Sequence, residues 1–545
     1  MLSDLPILSC IIFSPLLGLL VLLFLPKQRS RWLKTTAIIA TLIPLLLSLW
    51  LYADYDSTKG GKTYEELSTW VDASLNKEVV GAVSSYSFKF QYHLGIDGLS
   101  LPLLLLTTIV GVMAALASVN VKKRWKSFYI WFLLLEVGML GVFLARDVFL
   151  FFVFFELTLI PMFFLIGIWG FMNRERAANK FLLYNGIGSA IMLIAFVMLV
   201  STAGFRADQV PDKQETHLSY SGSYEVIQQN LTDPASYVNA APPANSQEGE
   251  GNPFYLSKTM RWSIFLLLLL AFGIKLPVFP FHTWMLKVHA EAPPSVVMIH
   301  SGVLLKMGAY GLLRFGVFMF PGEAKDWAAV LAILGVVNIL YGAVLALVQK
   351  EFKLVLAYSS ISHMGIVLLG IASFNEIGLQ GAMIQLVSHG LISALLFLIV
   401  GSIYERTGST QLSDLGGLAR SLPFISGILL TAGMASLGLP GLSGFVGEFL
   451  SLLGLFDSMR IITAVAVLGV ILTAVYVLRS ILGITFGPMS ERYAALRDAR
   501  LIEAVPMITL LAFILLIGIY PSVLTEPMKH GFDALLEQIN EKVGR

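Results

Sequence analysis

Residues 148–171 read VFLFFVFFELTLIPMFFLIGIWGF, and this stretch decides the class of fold. A helix needs about 20 apolar residues to cross the hydrocarbon of a bilayer, and this run is long enough, with a single charged side chain at Glu156. Only Arg146-Asp147 separates it from the apolar run before it. The stretch therefore predicts a transmembrane helix in a tight antiparallel hairpin.

The composition extends this interpretation to the whole chain. Of 545 residues, 56% are hydrophobic and 13% are charged, whereas soluble domains contain about 25% charged residues. So few charges do not cover several soluble domains, and most of the chain must face lipid. The net charge of +2 offers no strong basic field for nucleic acid. The single cysteine, Cys10, excludes an internal disulfide and a cysteine-held zinc or iron–sulfur centre.

Applied along the chain, the length rule predicts an all-α polytopic membrane protein with about 14 transmembrane helices. The predicted spans are 6–25, 35–52, 98–118, 127–145, 148–171, 181–203, 262–283, 295–319, 327–348, 354–373, 376–403, 422–455, 460–486 and 504–525. Two polar stretches, 53–93 and 205–260, interrupt the pattern, and the second is interpreted as a partly flexible surface insertion. No strand is predicted.

The predicted helices fall into four groups. Residues 1–126 contain helices 1–3, 127–319 a first repeat of helices 4–8, 327–486 a second repeat of helices 9–13, and 487–545 helix 14 and a tail. Pro and Gly interrupt the seventh and twelfth helices beside a charge, at Lys275 and Glu448. Broken helices at matching positions of two halves are typical of inverted-repeat transporters with sites at the midplane, because the freed backbone must line a hydrated cavity.

Lys and Arg placement predicts the orientation. Connections after odd-numbered helices carry 19 of these residues, and the opposite side carries 14, mostly in long loops and the tail. Because cytoplasmic connections are enriched in Lys and Arg, both termini are expected outside the cytoplasm or its organellar equivalent.

Ionisable residues inside predicted spans are the functional candidates, since a charge at the bilayer centre costs about 2.5–3.5 kcal/mol on insertion scales. The candidates for proton transfer are Asp147, Glu156, Lys275, Lys306, His363, His389 and Glu448. When the separation of an ammonium and a carboxylate grows from about 4 to about 8 Å, their coupling weakens by about 2 kcal/mol at an effective dielectric of 20. Proton transfer against about 150 mV costs about 3.5 kcal/mol, so such pairs can act as a switch.

Structural interpretations stand beside these. Glu136 snorkels to the interface or hydrogen-bonds locally, and Arg314 and Arg479 near span ends are expected to snorkel. His282 and His289 border the loop after the first break and serve loop structure or carry protons. None of the histidines has the spacing of a metal site. No phosphate-binding loop or dinucleotide fingerprint is present, so the energy must come from an ion gradient or a partner.

Six ordered motifs resemble one family. They are FFELTLIPMFFLIGIWG (154–170), GIKLPVFPFHTW (273–284) with HAEAPP (289–294), LLKMGAYGLLRF (304–315), KLVLAYSSISHMG (353–365), LVSHGLISALLF (386–397) and GLPGLSGFVGEFL (438–450). They resemble the antiporter-like, Mrp-related subunits of respiratory complex I, the NADH:quinone oxidoreductase. Glu448 favours the chain M, or subunit 4, branch, because subunits L and N and the Mrp proteins usually have lysine there.

The resemblance implies a role for each matching residue. Glu156 is the essential carboxylate paired with Lys275, Lys306 is the central connecting lysine, and His363 and His389 relay protons toward Glu448, the terminal residue. Asp147 matches a charged position at the start of the fifth helix. The family commonly has LPDAH where this chain has Met285-Leu286-Lys287-Val288-His289, so a role for that aspartate does not carry over.

The resemblance implies a proton-translocating subunit with no cofactor of its own. NADH, FMN, iron–sulfur clusters and quinone belong to partner subunits, neighbouring subunits L and N are the partners together with lipid, and the location is an energy-transducing membrane, a bacterial plasma membrane in the first instance. Two alternatives stay open: a subunit of an Mrp-type Na⁺/H⁺ antiporter, and the membrane subunit of a hydrogenase or ferredoxin-linked complex.

Overall fold

The computed structural model describes residues 6–59, 62–75, 83–121, 123–209, 216–240, 252, 254–533, 535–537 and 539. Lys122, one of the basic residues used for orientation, and parts of both polar stretches lie outside these residues.

Twenty helices make up most of the described chain. They are α1 (Ile7–Phe24), α2 (Ser30–Asp54), α3 (Ser100–Ala117), α4 (Trp125–Leu144), α5 (Val148–Trp169), α6 (Arg174–Ala203), α7 (Tyr224–Thr232), α8 (Lys258–Lys275), α9 (Thr283–Glu291), α10 (Pro294–Ile299), α11 (Leu305–Gly311), α12 (Pro321–Asp326), α13 (Ala328–Val348), α14 (Phe352–Ala372), α15 (Glu376–Thr407), α16 (Pro423–Ser436), α17 (Ser443–Ser458), α18 (Arg460–Thr485), α19 (Leu501–Ile519) and α20 (Ser522–Met528).

Within the described ranges, twelve helical spans are long and apolar enough to cross a membrane, so the chain is a multi-pass membrane protein. One of them, Pro294–Val317, contains α10 and α11, joined by a first π-helical turn, His300–Leu304, and ends in a second, Leu312–Val317. The count of 14 is not confirmed. The two predicted spans without a counterpart among the twelve coincide with α8 and with the pair α16 and α17. Helix α8 has 18 residues but carries Lys258, Arg261 and Lys275, whereas α16 and α17 have only 14 and 16 residues.

Both predicted breaks are present. Helix α8 ends at Lys275 and α9 begins at Thr283, while α16 ends at Ser436 and α17 begins at Ser443. Polar groups freed at the first break find partners, since the Phe279 amide donates to Asn338 Oδ1 at 2.8 Å and Trp284 Nε1 donates to the Ile274 carbonyl at 3.0 Å. The division into two inverted five-helix repeats stays a prediction.

A four-stranded sheet was not predicted. Strands β1 (Glu66–Leu75) and β2 (Val83–Leu94) come from the first polar stretch, and β3 (Phe205–Gln209) and β4 (Thr216–Ser221) from the second. The order is β1-β2-β4-β3, with β2 and β4 parallel and the other pairs antiparallel. The expectation of no strands was wrong: β2 alternates aromatic and polar residues from Tyr86 to His93, and it pairs with β1, its neighbour in sequence. Only the pairing of β2 with β4, across more than 100 residues of chain, lies beyond a local reading.

The core of the helical layer is built from four spans. All of the most apolar window of Pro294–Val317 is buried, and most of α3, α14 and α15 is buried as well. Helices α1, α18 and α19 keep exposed apolar faces, with Leu17, Ile471 and Ile508 each at least half exposed. Such faces suit contact with lipid. Of the candidates, Lys306, His363 and His389 lie on the buried spans.

Candidate functional site

Lys275 is the last residue of α8, and the first break begins immediately after it. Its side chain is 2% exposed, and Nζ has no hydrogen-bond partner. Nζ lies 4.8 Å from the ring centroid of Phe155 and 5.7 Å from that of Phe181. The ammonium is therefore held between two aromatic faces, which attract a cation without fixing it by hydrogen bonds.

Glu156 follows Phe155 on α5 and interacts electrostatically with Lys275. It is half-buried, and within the part of the chain that the structure describes its Oε1 has no hydrogen-bond partner and it forms no salt bridge with the lysine. Helices α5 and α8 thus place the two predicted residues near each other, but their charged groups are not in direct contact. Small changes in this separation change the coupling strongly in a buried site.

Lys306 lies on α11 in the most deeply buried span and is fully buried. Its Nζ donates to the Ser301 carbonyl, in the first π-helical turn, and lies 2.8 Å from Nδ1 of His389 on α15. π-helical turns occur often at functional sites because they displace backbone groups from the regular pattern. Here the turn supplies one partner of the lysine, and α15 supplies the other.

His389 leads to His363 on α14, since their ring centroids are 5.4 Å apart. Both histidines line a small cavity of about 10 Å³, together with Ser359, Ser360 and Ser436. Its wall also includes the apolar side chains Leu356, Ile392, Leu396 and Phe397, and its volume is at the lower limit for one water molecule. The two imidazoles are thus close enough for a proton to pass by way of one water.

Glu448 ends this series on α17. Its Oε1 lies 3.1 Å from Nδ1 of His363, and the residue is 5% exposed. The glycine of the second break makes room for it: Gly438 has φ of +79°, and a Cβ there would lie 2.6 Å from Glu448 Oε2. The break therefore positions the carboxylate directly against the helix end.

The structure joins Lys306, His389, His363 and Glu448 in one buried series across α11, α15, α14 and α17. All four are predicted site residues. Lys275 and Glu156 form a second group on α8 and α5. Neighbouring titratable groups at such distances can pass a proton from one group to the next.

Asp147 lies apart from both groups, at the N-terminus of α5. Its Oδ1 accepts hydrogen bonds from the amides of Phe149 at 2.9 Å and Leu150 at 3.1 Å, as a helix N-cap does. Burial raises the pKa of Asp147 to about 6, against the opposing effect of these two amides. A proton-transfer role for Asp147 stays a prediction.

Two expectations about charged residues were wrong. Glu136 on α4 neither snorkels nor hydrogen-bonds: it is fully buried with both carboxylate oxygens unpartnered, and it faces Gly111 of α3. Arg314 does not snorkel either, since it is 4% exposed and donates to Asp97 Oδ2 at 2.6 Å. Arg479 is exposed, as expected, and donates to the Leu347 carbonyl at 2.8 Å.

Asp97 was missed because it lies between the polar stretch 53–93 and the predicted span 98–118, where a lone carboxylate carries no signal. Its Oδ2 accepts from Arg314 and, at 2.9 Å, from Arg146, and its Oδ1 accepts from the amides of Leu99 and Ser100. Burial by itself would raise the pKa of Asp97, but the two guanidinium groups hold it well below its usual range. The carboxylate is therefore ionised and joins three parts of the chain.

His300 was also missed. It is fully buried at the start of the first π-helical turn, and its Nδ1 lies 2.9 Å from Nε2 of His289. A histidine inside an apolar span is the signal that identified His363 and His389, and it applies equally to His300. His282 lies 3.1 Å from the hydroxyl of Tyr341 and is not part of this pair.

Comparison with known proteins defines the class. Residues 145–473 match the family described as NADH:quinone oxidoreductase/Mrp antiporter, TM, and residues 75–146 match NADH-ubiquinone oxidoreductase chain 4, amino terminus. The chain therefore belongs to the NADH:quinone oxidoreductase/Mrp antiporter family of membrane proteins.

Within that family the chain groups with the proteins called subunit M or chain 4. It is 33% identical to NADH-quinone oxidoreductase subunit M of Rickettsia felis over 542 residues, covering 98% of this chain and 99% of the relative. It is 36% identical to NAD(P)H-quinone oxidoreductase chain 4 of Prochlorococcus marinus, strain NATL1A, covering 98% of this chain and 93% of the relative.

Solved structures agree. A chain of respiratory complex I from Thermus thermophilus with bound NADH is 28% identical, with a TM-score of 0.80 and coverage of 98% of this chain and 99% of that chain. A chain of the Mrp complex from Dietzia sp. DQ12-45-1b is 21% identical, with a TM-score of 0.76 and coverage of 98% and 97%, and it shares the fold.

Proposed function

We propose that this chain translocates protons as the chain M subunit in the membrane arm of an NADH:quinone oxidoreductase. The observation that carries the proposal is the buried series Lys306, His389, His363 and Glu448, with contacts of 2.8 Å and 3.1 Å at its two ends. Relatives at 33% and 36% identity over nearly the whole chain are subunits of such oxidoreductases.

Each group has a part that follows from its surroundings. Glu156 and Lys275 act as the switch: Lys275 is buried and Glu156 half-buried, and among the described residues they form no salt bridge and neither Lys275 Nζ nor Glu156 Oε1 has a hydrogen-bond partner. When the carboxylate approaches, the lysine keeps its proton; when it withdraws, the lysine releases it, since a buried ammonium without a counter-ion is costly. Lys306 and the two histidines relay the proton, and Glu448 is the terminal group.

Redox chemistry belongs to partner subunits in this proposal. NADH, FMN, iron–sulfur clusters and quinone bind there, and neighbouring antiporter-like subunits L and N flank this chain. The complex lies in an energy-transducing membrane, a bacterial plasma membrane in the first instance, with both termini of this chain outside the cytoplasm. The surplus of Lys and Arg in the connections after odd-numbered predicted spans supports that orientation.

The test uses the assembled complex in sealed vesicles, with proton uptake and NADH oxidation measured together. In Lys275→Ala and Glu156→Gln, protons moved per NADH oxidised should fall by this chain's whole share, while the complex still assembles. Arg479→Ala is the matched control, because Arg479 is an exposed cation near a span end. Wild-type stoichiometry in both site variants would refute the proposal.

Copurification separates this function from the alternatives. Subunits that bind NADH and flavin, identified by mass, would support the oxidoreductase. Hydrogenase subunits, or Na⁺-driven proton movement with no redox partner, would assign the chain to one of the other complexes.

A further inference from the structure

The four-stranded sheet has an aromatic side and a polar side along β2. Three aromatic residues alternate there with three polar ones, Phe88, Phe90 and Tyr92 with Lys89, Gln91 and His93. Successive side chains of a strand point to opposite faces, so the three rings share one face of the sheet. Strand β4 adds Tyr220 to that face, since its ring stacks on Phe88 with the centroids 5.2 Å apart.

A β-bulge adds two apolar side chains of β1 to the same face. The register of β1 against β2 shifts between Thr69 and Val71, with Trp70 between them. Val71 lies opposite Phe90 and points to the same side, and the ring of Trp70 lies 6.0 Å from that of Tyr92. Two consecutive side chains thus share one face, because a bulge redirects a side chain. The aromatic face of the sheet consists of Trp70, Val71, Phe88, Phe90, Tyr92 and Tyr220.

Much of the aromatic face is not covered by the rest of the chain. Trp70 is 60% exposed and Val71 51%, and Phe88 and Phe90 are 38% and 37% exposed. Contiguous exposed apolar surface marks a contact with a partner or with a membrane. The aromatic face therefore calls for an apolar neighbour.

Contacts with two transmembrane helices define the height of the aromatic face. The ring of Tyr92 stacks on Phe13 of α1 with the centroids 6.5 Å apart, and Phe90 packs against Phe149 of α5 at 5.2 Å. Phe149 is the second residue of α5, and Phe13 lies within the first two turns of α1. At 1.5 Å per residue, both rings are within roughly 9 Å of the start of their helices. The aromatic face thus lies level with the ends of two membrane spans.

Hydrogen bonds hold β1 and β2 at this height. Glu66, the first residue of β1, accepts from the amide of Leu8 at 2.7 Å and from that of Ser9 at 3.2 Å, at the N-terminus of α1. The hydroxyl groups of Ser9 and Tyr92 are 2.6 Å apart. Tyr92 therefore keeps its hydroxyl among the polar groups of the helix end and its ring against Phe13. This is the arrangement that tyrosine adopts at a membrane–water interface.

The aromatic face continues into the exposed apolar side of α1. Phe13, Leu17 and Leu20 follow at spacings of four and three residues, which places them on one side of the helix. They are 38%, 64% and 51% exposed, on a helix long and apolar enough to cross a membrane. Lipid is the one neighbour that suits both surfaces, because it covers the apolar side of a membrane helix and reaches the interface at its end.

We propose that the aromatic face of the sheet rests on the bilayer and binds phospholipid of the nearer leaflet. Trp70 and Val71 lie among the headgroups and the first methylene groups, since amphipathic elements at an interface bury their apolar side by about 5–10 Å. Asp72 and Lys89, which are opposite each other on β1 and β2, point to the other side and stay in water. The inference is independent of the proposed function, because it needs only a multi-pass membrane chain.

Photochemical crosslinking in the assembled complex tests the contact. Trp70 is replaced by p-benzoylphenylalanine, and the complex is illuminated in vesicles of phosphatidylethanolamine and phosphatidylglycerol. The benzophenone reacts with the nearest C–H bond, so the peptide that carries position 70 should gain the mass of a phospholipid. Asp72 with the same replacement is the matched control: it is exposed on the same strand and points to the other side, so it should gain no lipid.

A second position keeps the test decisive. Where the variant at position 70 does not assemble, Phe88 with the same replacement takes its place, because the new side chain extends the phenyl ring already present. A crosslink from position 70 or 88 to another subunit would show that protein covers the aromatic face and would refute the lipid contact. Absence of any adduct, or equal lipid labelling at position 72, would refute it as well. None of these results depends on whether Lys275→Ala loses pumping.

Discussion

Arg314 Nη2 donates to Asp97 Oδ2 at 2.6 Å, and the same oxygen accepts from Arg146 at 2.9 Å. Arg314 ends the span that carries Lys306, and Arg146 precedes the helix that carries Glu156. The other oxygen of Asp97 caps α3. One carboxylate thus ties together three membrane helices, two of which carry proposed proton-transfer groups.

Removing that charge should weaken the helical bundle. In Asp97→Asn two guanidinium groups lose their shared counter-ion, and a buried charge left unpaired costs about 3–5 kcal/mol. We expect the lower end, since 18% of the Asp97 side chain is exposed. Thermal inactivation of the complex would be measured against Asp533→Asn, an exposed pair with His530 that should cost less than about 1 kcal/mol. Equal inactivation curves for the two variants would contradict a stabilising role for the ion pairs of Asp97 with Arg314 and Arg146.

The glycine at the second break should be needed for the position of Glu448. In Gly438→Ala the new Cβ meets Glu448 Oε2 at 2.6 Å in a backbone conformation that costs an L-residue about 1–2 kcal/mol. We expect pumping per NADH oxidised to fall while NADH oxidation continues. Gly427→Ala on α16 is the control, because a Cβ there meets nothing within 4 Å. Loss of pumping in both variants would show that a disturbed helix, and not a displaced Glu448 carboxylate, causes the loss.

Glu448 itself should end the path. Glu448→Gln removes the negative charge 3.1 Å from His363, so the last transfer loses its acceptor and proton stoichiometry should drop. Glu448→Lys should retain part of the pumping, because lysine also titrates and related subunits carry it there. Glu376→Gln, an exposed substitution at the start of α15, serves as the comparison. Unchanged stoichiometry in Glu448→Gln would place the end of the path elsewhere.

Two substitutions of Asp147 distinguish a role in helix capping from a role in proton transfer. Asparagine keeps an oxygen for the amides of Phe149 and Leu150, whereas alanine at an N-cap costs about 1 kcal/mol. With a proton-transfer role, Asp147→Asn should keep the thermal stability of the complex and lose pumping. Full pumping in Asp147→Asn would show that Asp147 serves only as a helix cap. In that case only Asp147→Ala should lose thermal stability.

Much of the candidate site is predictable because lipid makes charges conspicuous. Lys306, His389 and Glu448 stand out in apolar runs, and the structure brings them together. Asp97 has no such background, and its partners Arg146 and Arg314 are distant in sequence. Arg314 was misjudged because a span end permits two solutions, exposure or a buried counter-ion, and only tertiary structure decides between them.

Pairing of strands was beyond reach for a related reason. Aromatic and polar residues alternate without a break from Tyr86 to His93 in β2, and this pattern is the ordinary signal of a strand, so the strand itself was predictable. Its pairing with β4 was not, because β4 follows only after four membrane helices. The first π-helical turn is similar, since the contacts of Ser301 with Lys306 and of His300 with His289 appear only in three dimensions.

The parallel pairing of β2 with β4 has a mechanical consequence for turnover. The pairing hydrogen-bonds β2, which precedes α3, to β4, which follows α6, and it lies outside the membrane helices. A helical bundle that is cross-linked by a sheet in this way resists rigid-body tilting of one group of helices against another. Conformational changes during turnover would then be confined to the two interrupted helices and their side chains, and each change would be small and local.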